Sequence, residues 1–359
     1  MGGLEVHGHG FYAGLTTWAR HARSFFTALH RRTQVKIHPV DHRGVRAELT
    51  AEESALMWDG SDDHDGIGIG IGSVDSMPAV RGRHRIAFVV WETTRLPADK
   101  RAQLQAMDEV WTPSRWGREM FVANGLAPER VFVVPEGVDT NRFVPRPRGP
   151  EEEPFRFLCV GKWEARKGVG DLVRCFAETF SPDENVELVI HAHNQWLPGF
   201  DSARVIRTAL GGRPARVRAS EPVNEDGLAA LYTACDAFVL PTRAEGWGLP
   251  VAEAMSCGLP VIVTNYSAPA EVVHEGVGYP LRVAGMTAVR DPYFYPGPTD
   301  FGVWAEPDWE HLRTLLRWVA DHKEEAAAKG RQARQEACAR WTWDHAAEVA
   351  MRRLREIGA

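Results

Sequence analysis

No apolar run in this 359-residue chain approaches the length of a membrane-spanning helix, so the sequence reads as a water-facing protein. No signal-like segment precedes the first expected strand, and a cytoplasmic location is the expectation. Cysteine is sparse: Cys159, Cys175, Cys235, Cys257 and Cys338 are dispersed with no C-x-x-C pair, as expected of reduced, buried or inert thiols. There is no excess of positive charge. The formal net charge is −6, so no global basic field recruits nucleic acid or anionic membrane, and nucleic acid is not an indicated partner. No internal repeat or low-complexity tract occurs. With 44% hydrophobic and 25% charged residues the composition is that of a folded globular protein, and the length has room for two domains.

The chain opens with a strand over 4–7, a glycine turn (Gly8, Gly10, Gly14), a helix over 15–29 and a strand over 35–40. The turn after a first strand is where an α/β domain takes a ligand. Here G-H-G-F-Y-A-G lacks the G-x-G-x-x-G spacing, which argues against a dinucleotide. Arg20, Arg23, Arg31 and Arg32 leave peripheral contact with a membrane surface open. Residues 50–65 read as polar and irregular, and S-D-D-H-D within them as a solvated acidic turn rather than a metal site. In 67–71 glycine alternates with isoleucine, which points to close approach of another backbone. Residues 85–91 form a buried strand, with Glu92 at its carboxyl end. Ser114 is an N-cap for a helix over 115–124.

The most informative stretch is 236–273. The apolar run Ala237–Leu240 ends at Pro241. A loop then carries Glu245, Gly246, Trp247 and Gly248; Leu249 and Pro250 open a helix, and 260–264 is a second buried strand. This is a β-α-β unit. Gly246 and Gly248 let backbone N–H groups approach a phosphate at the positive end of the helix, while Glu245 before the helix and Glu253 in its first turn suit hydroxyl groups, which a carboxylate binds as acceptor. A second turn, G-K-W-E-A-R-K-G at 161–168, follows a strand over 155–160. Its Gly161 turns the chain between Lys162 and Lys167, and Arg166 stands beside them. Two cations at a strand end before a helix make an anion site. Phosphates between hydroxyl-rich rings describe a nucleotide sugar. His191 and His193 would line the site at most, and 276–302 reads as a long irregular segment.

E-G-W-G-L-P-V-A-E followed by A-M-S-C-G-L-P-V-I resembles the E-x7-E signature of the retaining glycosyltransferases of family 4. The G-K-W-E-A-R-K-G turn resembles that family's G-R-x-x-x-x-K-G, with Lys162 where arginine is usual. P-E-G-V-D-T-N-R-F-V-P resembles its interdomain passage, and W-E-T-T-R-L-P resembles a subset of its members. The resemblance implies the α/β GT-B fold: two Rossmann-like domains facing a central cleft, over 1–147 and 148–340 with a linker near 150, and a last helix (341–359) packing back on the first domain. It implies transfer of a sugar, with retention, from a UDP- or GDP-sugar to an unknown hydroxyl acceptor without a metal or other cofactor. Lys162 and Lys167 would hold the diphosphate with Gly161 and the N–H groups around Trp247, Gly248 and Leu249. Glu245 would fix the sugar and Glu253 the ribose. Gly8, His9, Gly10 and Glu92 would face the acceptor. The alternatives are a GT-B nucleotide-sugar hydrolase, epimerase or phosphorylase, or a non-catalytic nucleotide-sugar-binding protein. Base, sugar, acceptor and oligomeric state are not legible.

Overall fold

The computed structural model describes residues 4–14, 16–39, 47–60, 64–145, 153–194 and 196–358, so most of the expected linker near 150 lies outside the described residues. The chain divides into two compact units, Met1–Gly137 with Trp341–Ala359, and Val138–Arg340.

In the first unit the elements are β1 (Glu5–Gly10), α1 (Thr17–His30), β2 (Gln34–Pro39), α2 (Ala51–Ala55), β3 (Ile67–Ile71), β4 (His84–Phe88), α3 (Ala98–Gln105), β5 (Glu109–Thr112), α4 (Arg115–Ala123) and β6 (Val131–Val133). The strands form one parallel sheet in the order β2-β1-β3-β4-β5-β6. Helix α1 starts where Thr16 Oγ1 accepts from the Ala19 N–H, and its stripe of Ala22, Phe25, Phe26 and Leu29 is buried. Ser114 caps α4 as expected, accepting from the Gly117 N–H at 3.0 Å.

The alternating glycines of β3 have a steric cause. A 3-10 segment, Val74–Ala79, brings Val80 and Arg81 back across the strand. A Cβ on Gly68 would fall on the Arg81 carbonyl oxygen, far inside van der Waals contact, and one on Gly70 would meet Val80 and Met77. Only hydrogen at Cα lets the two backbones lie this close.

Three expectations for this unit need correction. β1 runs on through Gly10, so Gly8, His9 and Gly10 are strand residues and not a turn. The segment 50–65 is not wholly irregular: α2 lies in it, closed by a capping box in which Thr50 and Glu53 each accept the other's backbone N–H. Arg23 is not a surface group. It is buried and donates to the Tyr12 and Gly14 carbonyls at 2.9 and 2.7 Å.

In the second unit the elements are β7 (Phe155–Lys162), α5 (Val169–Thr179), β8 (Val186–His193), α6 (Ser202–Leu210), β9 (Val217–Ala219), α7 (Glu225–Thr233), β10 (Ala237–Leu240), α8 (Leu249–Ser256), β11 (Val261–Thr264), α9 (Pro269–Val272), β12 (Gly278–Leu281), β13 (Val283–Ala288), β14 (Val303–Pro307), α10 (Trp309–Asp321) and α11 (Lys323–Arg340). The parallel sheet has the order β12-β11-β10-β7-β8-β9. Read from β9, that is third, second, first, fourth, fifth, sixth, the doubly wound order whose direction reverses between its first and fourth strands, here β7 and β10. The segment 276–302 is more regular than its prolines imply: β12 is the sheet's edge strand, and β13 pairs antiparallel with β14. Helix α11 lies against the turn that ends α8 so closely that a Cβ on Gly330 would overlap the Gly258 carbonyl.

The final helix, α12 (Trp343–Gly358), belongs to the first unit and packs on α1. Ala346, Ala347 and Ala350 are buried, while Arg32 donates to Asp344 at 2.8 Å and to Glu348 at 3.2 Å. Arg353 reaches the buried Glu109 of β5 at 2.7 Å, and Trp111 Nε1 donates to the same carboxylate at 3.0 Å. Among the described residues no helix is long and apolar enough to cross a membrane.

Candidate functional site

The reversal of strand order sets the carboxyl ends of β7 and β10 side by side, and both sequence-predicted loops leave from there. β7 extends through Lys162, so Gly161 and Lys162 are its last residues and the turn proper begins at Trp163. A 3-10 turn, Ala165–Lys167, leads to Gly168 at φ +66°, where a Cβ would lie 2.5 Å from the Pro241 carbonyl oxygen. Both the left-handed backbone and the contact require glycine there. A Cβ on Gly161 would touch the Lys167 stem at 3.4 Å. On the other loop Gly248 is at φ +103° and precedes the first turn of α8.

Between the loops lies a buried ionic cluster. Lys167 Nζ donates to Glu245 Oε1 at 2.6 Å, and Thr242 Oγ1 donates to the same oxygen at 2.9 Å. Arg166 approaches Glu245 at 3.2 Å and donates to the Ala244 carbonyl and to Glu164 Oε1, each at 2.6 Å. The Glu245 N–H donates to Ser267 Oγ at 2.9 Å, and Ser267 itself holds φ +55°, a strained conformation for a side-chain-bearing residue. Burial would raise the Glu245 carboxyl, but the charges of Lys167 and Arg166 and the hydrogen bonds from Lys167 and Thr242 outweigh it and hold it down at about 2. Lys162 is the outward member. Its side chain is 43% exposed, its Nζ lies 3.2 Å from Glu164 Oε2, and it sits 4.4 Å over the Phe294 ring. Three cations (Lys162, Arg166, Lys167) against two carboxylates (Glu164, Glu245) leave a local formal charge of +1.

Asp291 ties the β13–β14 excursion to this turn. The buried carboxylate accepts the Ala165 N–H at 3.1 Å and the Tyr293 and Phe294 N–H groups at 3.0 Å each. Arg243 adds a second tie, with Nε 2.8 Å from Glu306 on β14 and Nη1 donating to the Ala165 carbonyl at 2.6 Å. Sequence reasoning missed Asp291, Arg243, Thr242 and Ser267, and gave Arg166 a secondary place. A cavity beside the turn is lined by Trp163, Glu164, Asp171, Arg174, Tyr293 and Phe294 among others, and not by Lys167, Glu245 or Glu253.

Glu253 is in the second turn of α8, not the first, and is 2% exposed. Its Oε2 accepts from the Tyr232 hydroxyl at 2.8 Å, and the Tyr232 ring is set edge-on to Phe143 and tilted against Phe238. Gly246, Trp247 and Leu249, also expected at the site, are buried in the loop and first turn. His191 and His193 bond Ser220 Oγ (2.7 Å) and Ser202 Oγ (3.3 Å), and burial followed by the charge of His193 takes His191 down to about 4. In the first unit Gly8, His9 and Gly10 lie on β1, which β3 separates from β4 and the half-buried Glu92 beyond it. A Cβ on Gly10 would overlap the Ile71 carbonyl, and one on Gly8 would press on Ile37 and Phe26 at 2.5 and 2.7 Å, so both glycines serve packing.

Residues 154–291 match the family model described as Glycosyl transferases group 1. That segment holds both loops of the ionic cluster. The D-inositol 3-phosphate glycosyltransferase of Geodermatophilus obscurus is 30% identical over 190 residues, covering 50% of this chain and 41% of that protein. The O-antigen chain mannosyltransferase B of Escherichia coli is 34% identical over 119 residues, or 32% of this chain and 30% of that one. The chain thus spans less than half the length of these two relatives. Two solved structures match nearly the whole length of the chain. Sucrose-phosphate synthase of Thermosynechococcus elongatus has a TM-score of 0.71 at 16% identity, covering 99% of both chains. HepE of Anabaena, solved with UDP and glucose, has a TM-score of 0.71 at 14% identity, covering 98% of this chain and 100% of that one. The two units are the two Rossmann-like domains of the GT-B fold.

Proposed function

We propose that this chain is a metal-independent, retaining glycosyltransferase that moves a sugar from a UDP- or GDP-sugar to a hydroxyl acceptor. The observation that carries this reading is the Lys167–Glu245 pair at the reversal point of the second sheet. The net positive charge of the cluster suits a diphosphate, and Lys162, the exposed member, meets it first. Lys167 then shares its charge between Glu245 and the phosphates. The N–H groups of Trp247, Gly248 and Leu249, at the positive end of α8, add donors. Glu245, ionised under all ordinary conditions, accepts from the sugar hydroxyls, and Glu253 from the ribose.

The glycosidic C–O bond to the diphosphate breaks, and its electron pair leaves with the phosphate oxygen. The acceptor hydroxyl attacks the anomeric carbon from the same face and passes its proton to that oxygen. Catalysis on this scheme rests on positioning and on stabilising the leaving-group charge. Of the acceptor-side candidates Gly8, His9, Gly10 and Glu92, the two glycines serve packing, and Glu92 is the more open of the other two.

Glu253→Ala is expected to weaken donor binding by roughly 10- to 100-fold, the worth of a hydrogen bond to a charged group. Tyr232→Phe, which removes only the hydroxyl that holds Glu253, is expected to have a smaller effect of the same sign. Titration calorimetry with UDP- and GDP-sugars reads both, and unchanged donor affinity in Glu253→Ala would sink the ribose assignment. Nucleotide-sugar turnover that needs an acceptor identifies a transferase; turnover that needs phosphate or water alone identifies a phosphorylase or hydrolase.

A further inference from the structure

Histidines gather on the face of the first sheet opposite α1. His7 and His9 are two apart on β1, and His38 of β2 is the register partner of His9, so the three project to one side. Gly8, between them, faces Phe26 of α1 on the other. His64, just before β3, lies flat on His7 with ring centroids 3.4 Å apart, and the rings of His9 and His38 are stacked at 4.8 Å. Two glycines leave room for these rings. A Cβ on Gly66 would come within 2.6 Å of His7 Cδ2, and one on Gly82 within 3.2 Å of His64 Cε1.

The contacts define protons as well as positions. His7 Nε2 lies 2.7 Å from Glu5 Oε1, and a carboxylate only accepts, so Nε2 carries the hydrogen. In a neutral ring Nδ1 then presents its lone pair. It does so to His38 Nε2 at 2.6 Å, which must supply the N–H. Glu5 also accepts from Lys36 Nζ at 2.7 Å.

We propose that His7, His38 and His64 form a binding site for a divalent cation of the zinc class. Nδ1 of His7, Nε2 of His38 and a ring nitrogen of His64 are the ligands, and solvent takes a fourth position. The ligand atoms available on the three side chains all lie within 4.8 Å of one another. Zinc–nitrogen bonds of about 2.0–2.1 Å in tetrahedral geometry place ligand nitrogens ~3.4 Å apart. The His7–His38 contact therefore opens by several tenths of an ångström, and His64 turns out of its stack. The ion takes the place of the shared proton, which moves to His38 Nδ1, so no net proton need leave the pair. Glu5 is the carboxylate behind a ligating histidine, the outer partner that fixes tautomer and basicity. An all-imidazole set selects zinc, nickel or copper and excludes magnesium and calcium, which take oxygen. Such an ion would clamp the chain ahead of β3 to β1 and β2. The site lies in the unit that does not hold the Lys167–Glu245 cluster, so it stands whether or not the transferase reading does.

The test is calorimetric titration of chelator-stripped full-length chain with zinc chloride, with cobalt(II) as a spectroscopic substitute. Expected are one equivalent bound, a zinc-dependent rise in Tm, and visible bands of four-coordinate cobalt bound by nitrogen. His38→Ala and His64→Ala should lose the equivalent, Glu5→Gln should weaken it about 10- to 100-fold, and His193→Ala, in the other histidine pair, should leave it intact. If His38→Ala does not fold, His64→Ala, in a connecting segment, decides. Wild-type chain that takes up no equivalent, or an equivalent that survives His64→Ala, overturns the proposal and leaves a proton-sharing histidine pair only.

Discussion

Lys167→Met is expected to lower glycosyl transfer by about 100-fold or more and to destabilise the second domain by about 3–5 kcal/mol. The two losses have different causes. Lys167 Nζ is the nearest cation to Glu245, at 2.6 Å, and both side chains are buried. Removing it leaves the buried carboxylate with the Thr242 hydroxyl and a single nearby cation, Arg166, which is already committed to Glu164. The double variant Lys167→Met with Glu245→Gln separates the effects, because replacing both members of a buried pair is far less costly than breaking it. Stability should recover most of the way and turnover should not. Denaturant melts and steady-state assays of the four proteins read this directly. Near-normal turnover in the folded single variant would remove Lys167 from the site. The pH dependence carries the same signature. The Glu245 carboxyl is held at about 2 against an ordinary value of 4.5, so its ionised form stabilises the fold by roughly 3 kcal/mol. A depressed carboxyl contributes fully above its unfolded value, so this term is complete above about pH 5 and is lost as pH falls toward 2. Glu245→Gln should flatten the acid limb of stability over that window.

Gly68→Ala is the largest expected effect on folding, a loss of more than about 4 kcal/mol with the first unit bearing it. The added methyl cannot rotate away, because it meets the Arg81 carbonyl, which is main chain, across a strand whose residues are all buried. Relief requires β3 to part from the returning segment and strip contacts from Val80 and Met77. Gly285→Ala is the control: nothing lies within 4 Å of its Cβ, and β13 is largely exposed, so its melt should match the wild type within about 0.5 kcal/mol. A folded Gly68→Ala with an unshifted melt would show that the segment over β3 yields readily.

What the sequence discloses here follows from where each signal is stored. The β10–α8–β11 unit is legible because all its cues are local: an apolar run, a proline break, glycines at the loop, a proline in the first helical turn. The Gly-Ile alternation of β3 announces a close crossing, though not which segment crosses. α2 had its own cue, Thr50 with Glu53 three residues on, but five residues in a polar stretch give no apolar period to follow. The burial of Lys167 is not legible. A lysine in a glycine turn reads as exposed until its partner, 78 positions away, is known to sit against it. The prolines of 276–302 hid β12 and β13 because an edge strand and a two-stranded excursion tolerate residues that a central strand does not. Asp291 is the extreme case. Nothing near it in the chain shows that its carboxylate will be buried.

That carboxylate also limits how the chain can be re-engineered or diversified. Excursions such as 283–307, which leave the sheet after its edge strand β12 and lead into α10, are natural places to exchange segments between homologous proteins. Here the exchange would not be modular. Asp291 caps the Ala165 N–H, Arg243 grips Glu306, and Phe294 lies under Lys162, so a transplanted segment would arrive without the far half of three separate contacts. A chimera at this position must carry Asp291, Phe294 and Glu306 together, or redesign 162–165 and Arg243 to match.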